Sequence, residues 1–153
     1  MGSIHEDYLL RQVKAVATML ARILGLRMSG ETEEARVELE QAFGLLLGPR
    51  CLLIRTVDPY TAATLLASPD AILALAQLTN EEAEQQRNAD RAAALRWRAV
   101  ELTIEALQRD EESREARDFL TRVASAVDEP RLAPERKAIL EQWGVRRSRM
   151  HDG

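Results

Sequence analysis

Apolar side chains recur through the first third of the chain at intervals of three and four residues, the period of a helix that buries one face. Leu9, Val13, Val16, Leu20, Ile23 and Leu24 form one such line, and Leu10, Ala17 and Met19 widen it past a narrow stripe. That width predicts a first helix buried on two sides. Ser3, with Glu6 three residues on, has capping-box spacing and predicts the helix start. Ser29-Gly30 interrupts the pattern, because glycine enters the left-handed conformation without a side-chain clash. Glu31, Glu33 and Glu34 then suit the positive start of a second helix, which runs to about Leu47. Its predicted buried edge is Ala35, Leu39, Ala42, Phe43 and Leu46.

Gly48-Pro49 stops the second helix. Cys51-Leu52-Leu53-Ile54 has no partner strand anywhere in the chain, so it is expected to be a short helical or irregular buried segment. Asp58-Pro59 and Ser68-Pro69 each place a capping side chain before a proline at the first helical position, marking two further starts. From Asp70 the apolar line is Ile72, Leu75, Ala76 and Leu78, followed by the polar run Glu81 to Gln86. Asn88 offers a turn. Ala93, Trp97 and Val100 repeat the spacing of Ala35, Leu39 and Ala42, with Asn88 standing where Gly30 stood. A second hairpin and one unbroken helix from Asp70 to Arg109 both fit this pattern. Asp110 to Ser113 precedes a helix carrying Ala116, Phe119, Leu120, Val123 and Val127, which Pro130 ends. The last helix begins near Pro134, buries Ile139, Leu140 and Trp143, and stops at Gly144. The expected organisation is one helical domain over residues 1–144 and a basic, frayed tail over 145–153.

Composition agrees with helix: only 4% of residues are aromatic, and glycine (7) and proline (5) are few enough to act as punctuation. A net charge of −4 opposes broad attraction to nucleic acid and points to protein partners. The single Cys51 closes no internal disulfide, and His5 and His151 stand too far apart in sequence to suggest a zinc site with it, so a cytoplasmic protein without metal or cofactor is expected. Lys14 and Arg22 interrupt the apolar run Val13 to Leu26, which argues against both a membrane span and a secretory signal.

The stretch from Gly30 to Ala42, GETEEARVELEQA, looks like the turn and second helix of a tetratricopeptide-type hairpin. With Asp7-Tyr8-Leu9-Leu10-Arg11, Leu20-Ala21-Arg22-Ile23-Leu24, Leu73-Ala74-Leu75-Ala76 and Ala99-Val100-Glu101-Leu102, the chain resembles a bacterial helical family of unknown function over roughly residues 6–110. That resemblance implies tetratricopeptide-like hairpins and lends no catalytic residues. The fold expected is all-α: antiparallel helical hairpins, as a tetratricopeptide-like array or a compact bundle of six to seven helices.

Reactive chemistry is thin. There is no glycine-rich phosphate loop, no pair of histidine ligands and no nucleophile beside a base, so no catalytic residue is assigned. Glu101 and Glu105, one turn apart, are the best carboxylate pair for a carboxylate-based metal enzyme, the alternative from another class. More simply, Arg98, Glu101, Glu105 and Arg109 alternate in sign as a solvated face would. Cys51 among leucines reads as packing. Arg146-Arg147-Ser148-Arg149 would serve a nucleic-acid-associated accessory protein, but no aromatic residue accompanies them to stack on bases. Tyr8 and Arg11 share a face that could meet a neighbouring helix or a partner. In a tetratricopeptide-like array, Ala17, Leu20, Leu24, Arg27 and Met28 would face the ligand groove. So apolar a face is expected to be covered by the chain's own later helices or by another subunit, a homodimer through the first hairpin being one form. The function expected is a non-catalytic helical scaffold or protein–protein interaction module.

Overall fold

The structure is a computed structural model, and it describes residues 4–127 and 133–144. The expected cap at Ser3, the stop at Pro130 and the tail over 145–153 lie outside the described residues. The elements in order are α1 (Ile4–Met28), α2 (Thr32–Leu47), a short 3-10 turn (Gly48–Arg50), α3 (Cys51–Thr56), α4 (Pro59–Leu66), α5 (Pro69–Gln85), α6 (Ala89–Arg109), α7 (Arg114–Ser125) and α8 (Pro134–Gln142). Seven of these helices have eight residues or more, α3 is a six-residue turn, and no strand occurs among the described residues. The all-α bundle of hairpins expected from the sequence is therefore what is found.

The helix boundaries follow from local chemistry. Gly30 closes α1 at φ 82° and Gly48 closes α2 at φ 63°, both in the left-handed region where a Cβ is strained. The Asp58 carboxylate accepts the Thr61 backbone N–H at 3.0 Å, starting α4, and the Ser68 hydroxyl accepts that of Ala71 at 3.2 Å, starting α5. Asn88 settles the open choice over residues 70–109. Its side-chain oxygen accepts the Arg91 N–H at 3.0 Å and starts a new helix, so α5 and α6 are a hairpin. Ser113 does the same for α7, taking the Ala116 N–H at 3.1 Å.

One apolar core runs from Val16 and Ile23 of α1 through α2, α5 and α6 to Leu140 of α8. On α2 the predicted edge Ala35, Leu39, Ala42, Phe43 and Leu46 is buried throughout. α5 lies at the centre, packed against α1, α2, α4, α6 and α7, and Ala71 through Ala76 are all buried. Buried Thr79 and Thr103 donate their hydroxyls to the carbonyls of Leu75 and Ala99 one turn earlier, each at 2.7 Å, so neither costs an unmet hydrogen bond.

Four expectations are corrected. α1 is not buried on two sides: Val16 and Ile23 are fully covered, but Leu10, Ala17 and Leu24 are exposed, because among the described residues α2 and α5 are the main helices packed against it. In α3 only Ile54 is buried, and Leu52 and Leu53 face outward. Ala93 is exposed and Ala92 takes the core position, because the cap at Asn88 sets the helix phase independently of the α2 spacing. The Arg98–Arg109 series is not a solvated face. All four residues are half-buried, and the Arg98 guanidinium donates to the carbonyls of Val57 at 2.7 Å and Ile54 at 2.9 Å, closing the end of α3.

Candidate functional site

The sequence puts more apolar surface on α1 than two neighbouring helices cover, and the excess opens onto a groove. α1 supplies Leu20, Ala21, Leu24 and Arg27 to one wall, α5 supplies Asn80, Glu81 and Glu84 to the floor, and α7 supplies Phe119, Arg122 and Val123 to the far wall. The cavity measures about 520 Å³. These three helices converge because α1 and α7 both pack on α5.

Polar contacts fix the groove's floor. The Arg27 Nε donates to Glu81 Oε2 at 2.7 Å, and its guanidinium lies 3.8 Å from Glu84. Gln85 ties the Glu81 carboxylate to the Ala35 carbonyl of α2, donating to them at 3.3 and 3.4 Å. Glu81 is 7% exposed, so its charge needs these donors to remain buried. Arg96 of α6 adds a second cation to Glu84 at 3.4 Å. On the α7 wall the Arg122 guanidinium sits 5.5 Å from the Phe119 ring centroid, leaving its donors toward solvent. Asn80 Oδ1 is buried without a hydrogen-bond partner. The groove therefore joins an apolar α1 wall to an α5 floor whose charges are already neutralised.

A slightly larger cleft, about 580 Å³, separates the start of α2 from the end of α5. Its charged side chains mostly answer one another: Arg36 binds Glu33, and Arg55 bridges Glu40 at 2.8 Å and Glu82 at 3.3 Å. The hydrogen bond from Arg55 holds the Glu40 carboxyl below its ordinary value against the opposing effect of burial. The Arg55 guanidinium also covers the Phe43 ring at 3.7 Å. A ligand entering here would have to break ion pairs. The α1–α5–α7 groove presents uncovered apolar surface instead, and is the better candidate.

Of the residues singled out from the sequence, Leu20, Leu24 and Arg27 line this groove. Ala17 and Met28 lie on the same exposed side of α1, Met28 being 76% exposed. The chain's own later helices do not cover that side. Tyr8 and Arg11 are exposed and do not line the groove. Tyr8 lies toward α2, where its hydroxyl accepts from Gln12 at 3.2 Å while the same amide donates to the Leu45 carbonyl at 3.0 Å. Sequence reasoning missed the α5 floor, because Glu81 reads as part of a solvated acidic run. The available signal was Arg27, which falls on the helical line of Val16, Leu20 and Ile23 and so needs a buried counter-charge.

Glu101 and Glu105, the carboxylates of the metal-enzyme alternative, lie half-buried on α6. Glu105 binds Arg109 at 2.9 Å, and burial pushes the Glu101 carboxyl above its ordinary value, opposed by a hydrogen bond to Trp97 and by Arg136 and Arg98. Among the described residues no group of three or more histidine, cysteine, aspartate or glutamate side chains is placed to hold a metal ion, and no helix is long and apolar enough to cross a membrane. Comparison of the chain with protein-family models, with curated proteins and with solved structures gives no match.

Proposed function

We propose that the chain is a non-catalytic, tetratricopeptide-like interaction module of the cytoplasm that holds an apolar protein segment along the open side of α1 and the α1–α5–α7 groove. The observation that carries this reading is the apolar flank of α1, left uncovered by the chain's own helices beside a groove whose polar floor is internally neutralised. Two features support the tetratricopeptide-like part. α5 leans on both helices of the α1–α2 hairpin, and α7 leans on both helices of the α5–α6 hairpin, which is the stacking of a helical repeat. The first helix of each pair then lines the groove.

A photoreactive residue placed at position 28 tests the reading in cells of the source organism. The expected result is a discrete protein adduct, which Leu24→Glu in the same chain removes and which a photoreactive residue at position 112 does not give. No adduct, or one that Leu24→Glu leaves unchanged, overturns it.

A further inference from the structure

Leu10, Lys14, Ala17, Ala21, Leu24 and Met28 succeed one another along α1 at alternating steps of four and three residues, the period of a coiled-coil seam. All of them are exposed, with Leu10 at 44%, Leu24 at 43% and Met28 at 76%. The seam stands beside the groove, and Ala21 and Leu24 belong to both. We infer that the segment held on this flank of α1 is α1 of a second copy of the chain, running antiparallel about a twofold axis between Ala17 and Ala21.

The pattern carries this because in side-chain size (long, long, small, small, long, long) it reads the same from either end. A twofold interface requires that if one residue meets another across it, the second meets the first. Antiparallel pairing about that axis sets Leu10 against Met28 of the second copy, Lys14 against Leu24, and Ala17 against Ala21. Small residues at the centre let the backbones approach, and long apolar residues fill both ends. Lys14 lays its stem on Leu24 and keeps its ammonium in water. Parallel pairing would instead set Lys14 against Lys14 and align the two helix dipoles. The flanks also tolerate the antiparallel arrangement. Thr18 and Leu20 face their own copies, Arg11 faces Gly25, and Arg27 faces Val13, so none of these flanking pairs brings like charges together. Arg27 is already neutralised by Glu81 and Glu84.

The inference rests on the binding role proposed for this flank, and names its occupant. The seam positions are far fewer than the roughly 20–30 residues a side of a standard interface, so the pair is weak and must be sought at high concentration. Light scattering and sedimentation of the purified chain up to ~1 mM, the top of the range where such affinities are resolved, should show a monomer–dimer equilibrium. Leu24→Glu should abolish the dimer with helical circular dichroism retained. Met28→Glu, at the most exposed seam position, takes its place should Leu24→Glu unfold.

Register is read by disulfide trapping in a Cys51→Ala background, mixing differently tagged Ala17→Cys and Ala21→Cys chains. Mixed 17–21 disulfides in excess of their statistical share support the antiparallel pair. An excess of 17–17 and 21–21 disulfides overturns it. A wild-type chain that stays monomeric at every concentration also overturns it. That last failure is separable from failure of the binding role, because a foreign adduct at position 28 on a monomeric chain keeps the flank as a binding surface.

Discussion

The α1–α2 and α5–α6 hairpins begin from similar sequence and end in different surroundings. Both open with a helix rich in apolar residues on more than one side. On α5 this surface is enclosed, with six consecutive residues from Ala71 to Ala76 buried. On α1, among the residues whose burial is described, only Val16 and Ile23 are fully covered, and Leu10, Ala17, Leu24 and Met28 face out. The difference lies in position within the stack. α5 has helices before and after it in the array, whereas among the described residues α1 packs mainly on α2 and α5. The apolar width of a helix shows how much surface needs cover, and the stacking order decides how much receives it.

The largest expected effect separates the two helices by stability. Leu78 of α5 is 0% exposed, so Leu78→Ala removes packed methyl groups and leaves a cavity, at a cost of about 2–5 kcal/mol. Leu24→Ala on α1 should stay within roughly 0.5 kcal/mol, as at an exposed site. Urea denaturation of both variants checks this. Equal losses would mean that the flank of α1 is core after all.

The next effect lies at the seam between the hairpins. Arg27→Met keeps much of the stem's bulk but leaves the buried Glu81 carboxylate without its main donor, and should cost about 1–3 kcal/mol. Adding Glu81→Leu to that variant should recover a large part of the loss. A double-mutant cycle in urea measures the coupling, and simple additivity would show that the pair does not join the hairpins.

Local sequence carried most of the fold. Gly30, Gly48 and Gly144 stand at positive φ where turns were expected, and Asp58, Ser68 and Ser113 each accept a backbone N–H within three residues, so their signals are complete in a few letters. The buried edge of α2 was legible because one helical line of residues meets one neighbour. What could not be read depends on distant partners. Leu52 and Leu53 look like core in a run of four apolar residues, yet α3 is too short to turn both inward along with Ile54. Arg98 looked solvated because the carbonyls it binds belong to residues 41 and 44 positions earlier. The groove was half visible. Leu20, Leu24 and Arg27 came from the α1 pattern, whereas Asn80, Glu81 and Glu84 required the register of α5 against α1.

The two hairpins also differ at the start of a helix. Asn88 caps α6 with its side chain, while Glu31, ahead of α2, makes no side-chain cap bond. Asn88→Ala should therefore cost about 1 kcal/mol. Glu31→Ala should leave the thermal midpoint unchanged, because the turn before α2 is held by the left-handed Gly30 and by the backbone bond from the Glu31 N–H to the Leu26 carbonyl at 2.9 Å. Thermal denaturation of the two variants makes the comparison, and equal shifts would place the capping energy elsewhere.

The smallest effect sets one carboxylate of each hairpin against the other. Glu40 of α2 has its pKa lowered by the hydrogen bond from Arg55, so its contribution is present above the unfolded value of about 4.3 and is lost as pH falls through the lower folded value. Glu101 of α6 has its pKa raised by burial, so the folded state holds that proton more tightly than the unfolded chain does. Its effect has the opposite sign: stability declines as pH rises from about 4.3 through the raised folded value, and the full penalty stands above that value. Glu101→Gln keeps an acceptor for the Trp97 indole and removes the buried charge. It should raise the urea midpoint at pH 7 by less than the capping change moves stability, and the gain over wild type should close as pH falls to about 4. Glu40→Gln should instead lower the midpoint at pH 7 and converge with wild type in acid. If Glu101→Gln proves destabilising at pH 7, the Arg98 and Arg136 charges outweigh burial at this site, and the interior of the α5–α6 hairpin is more polar than its packing implies.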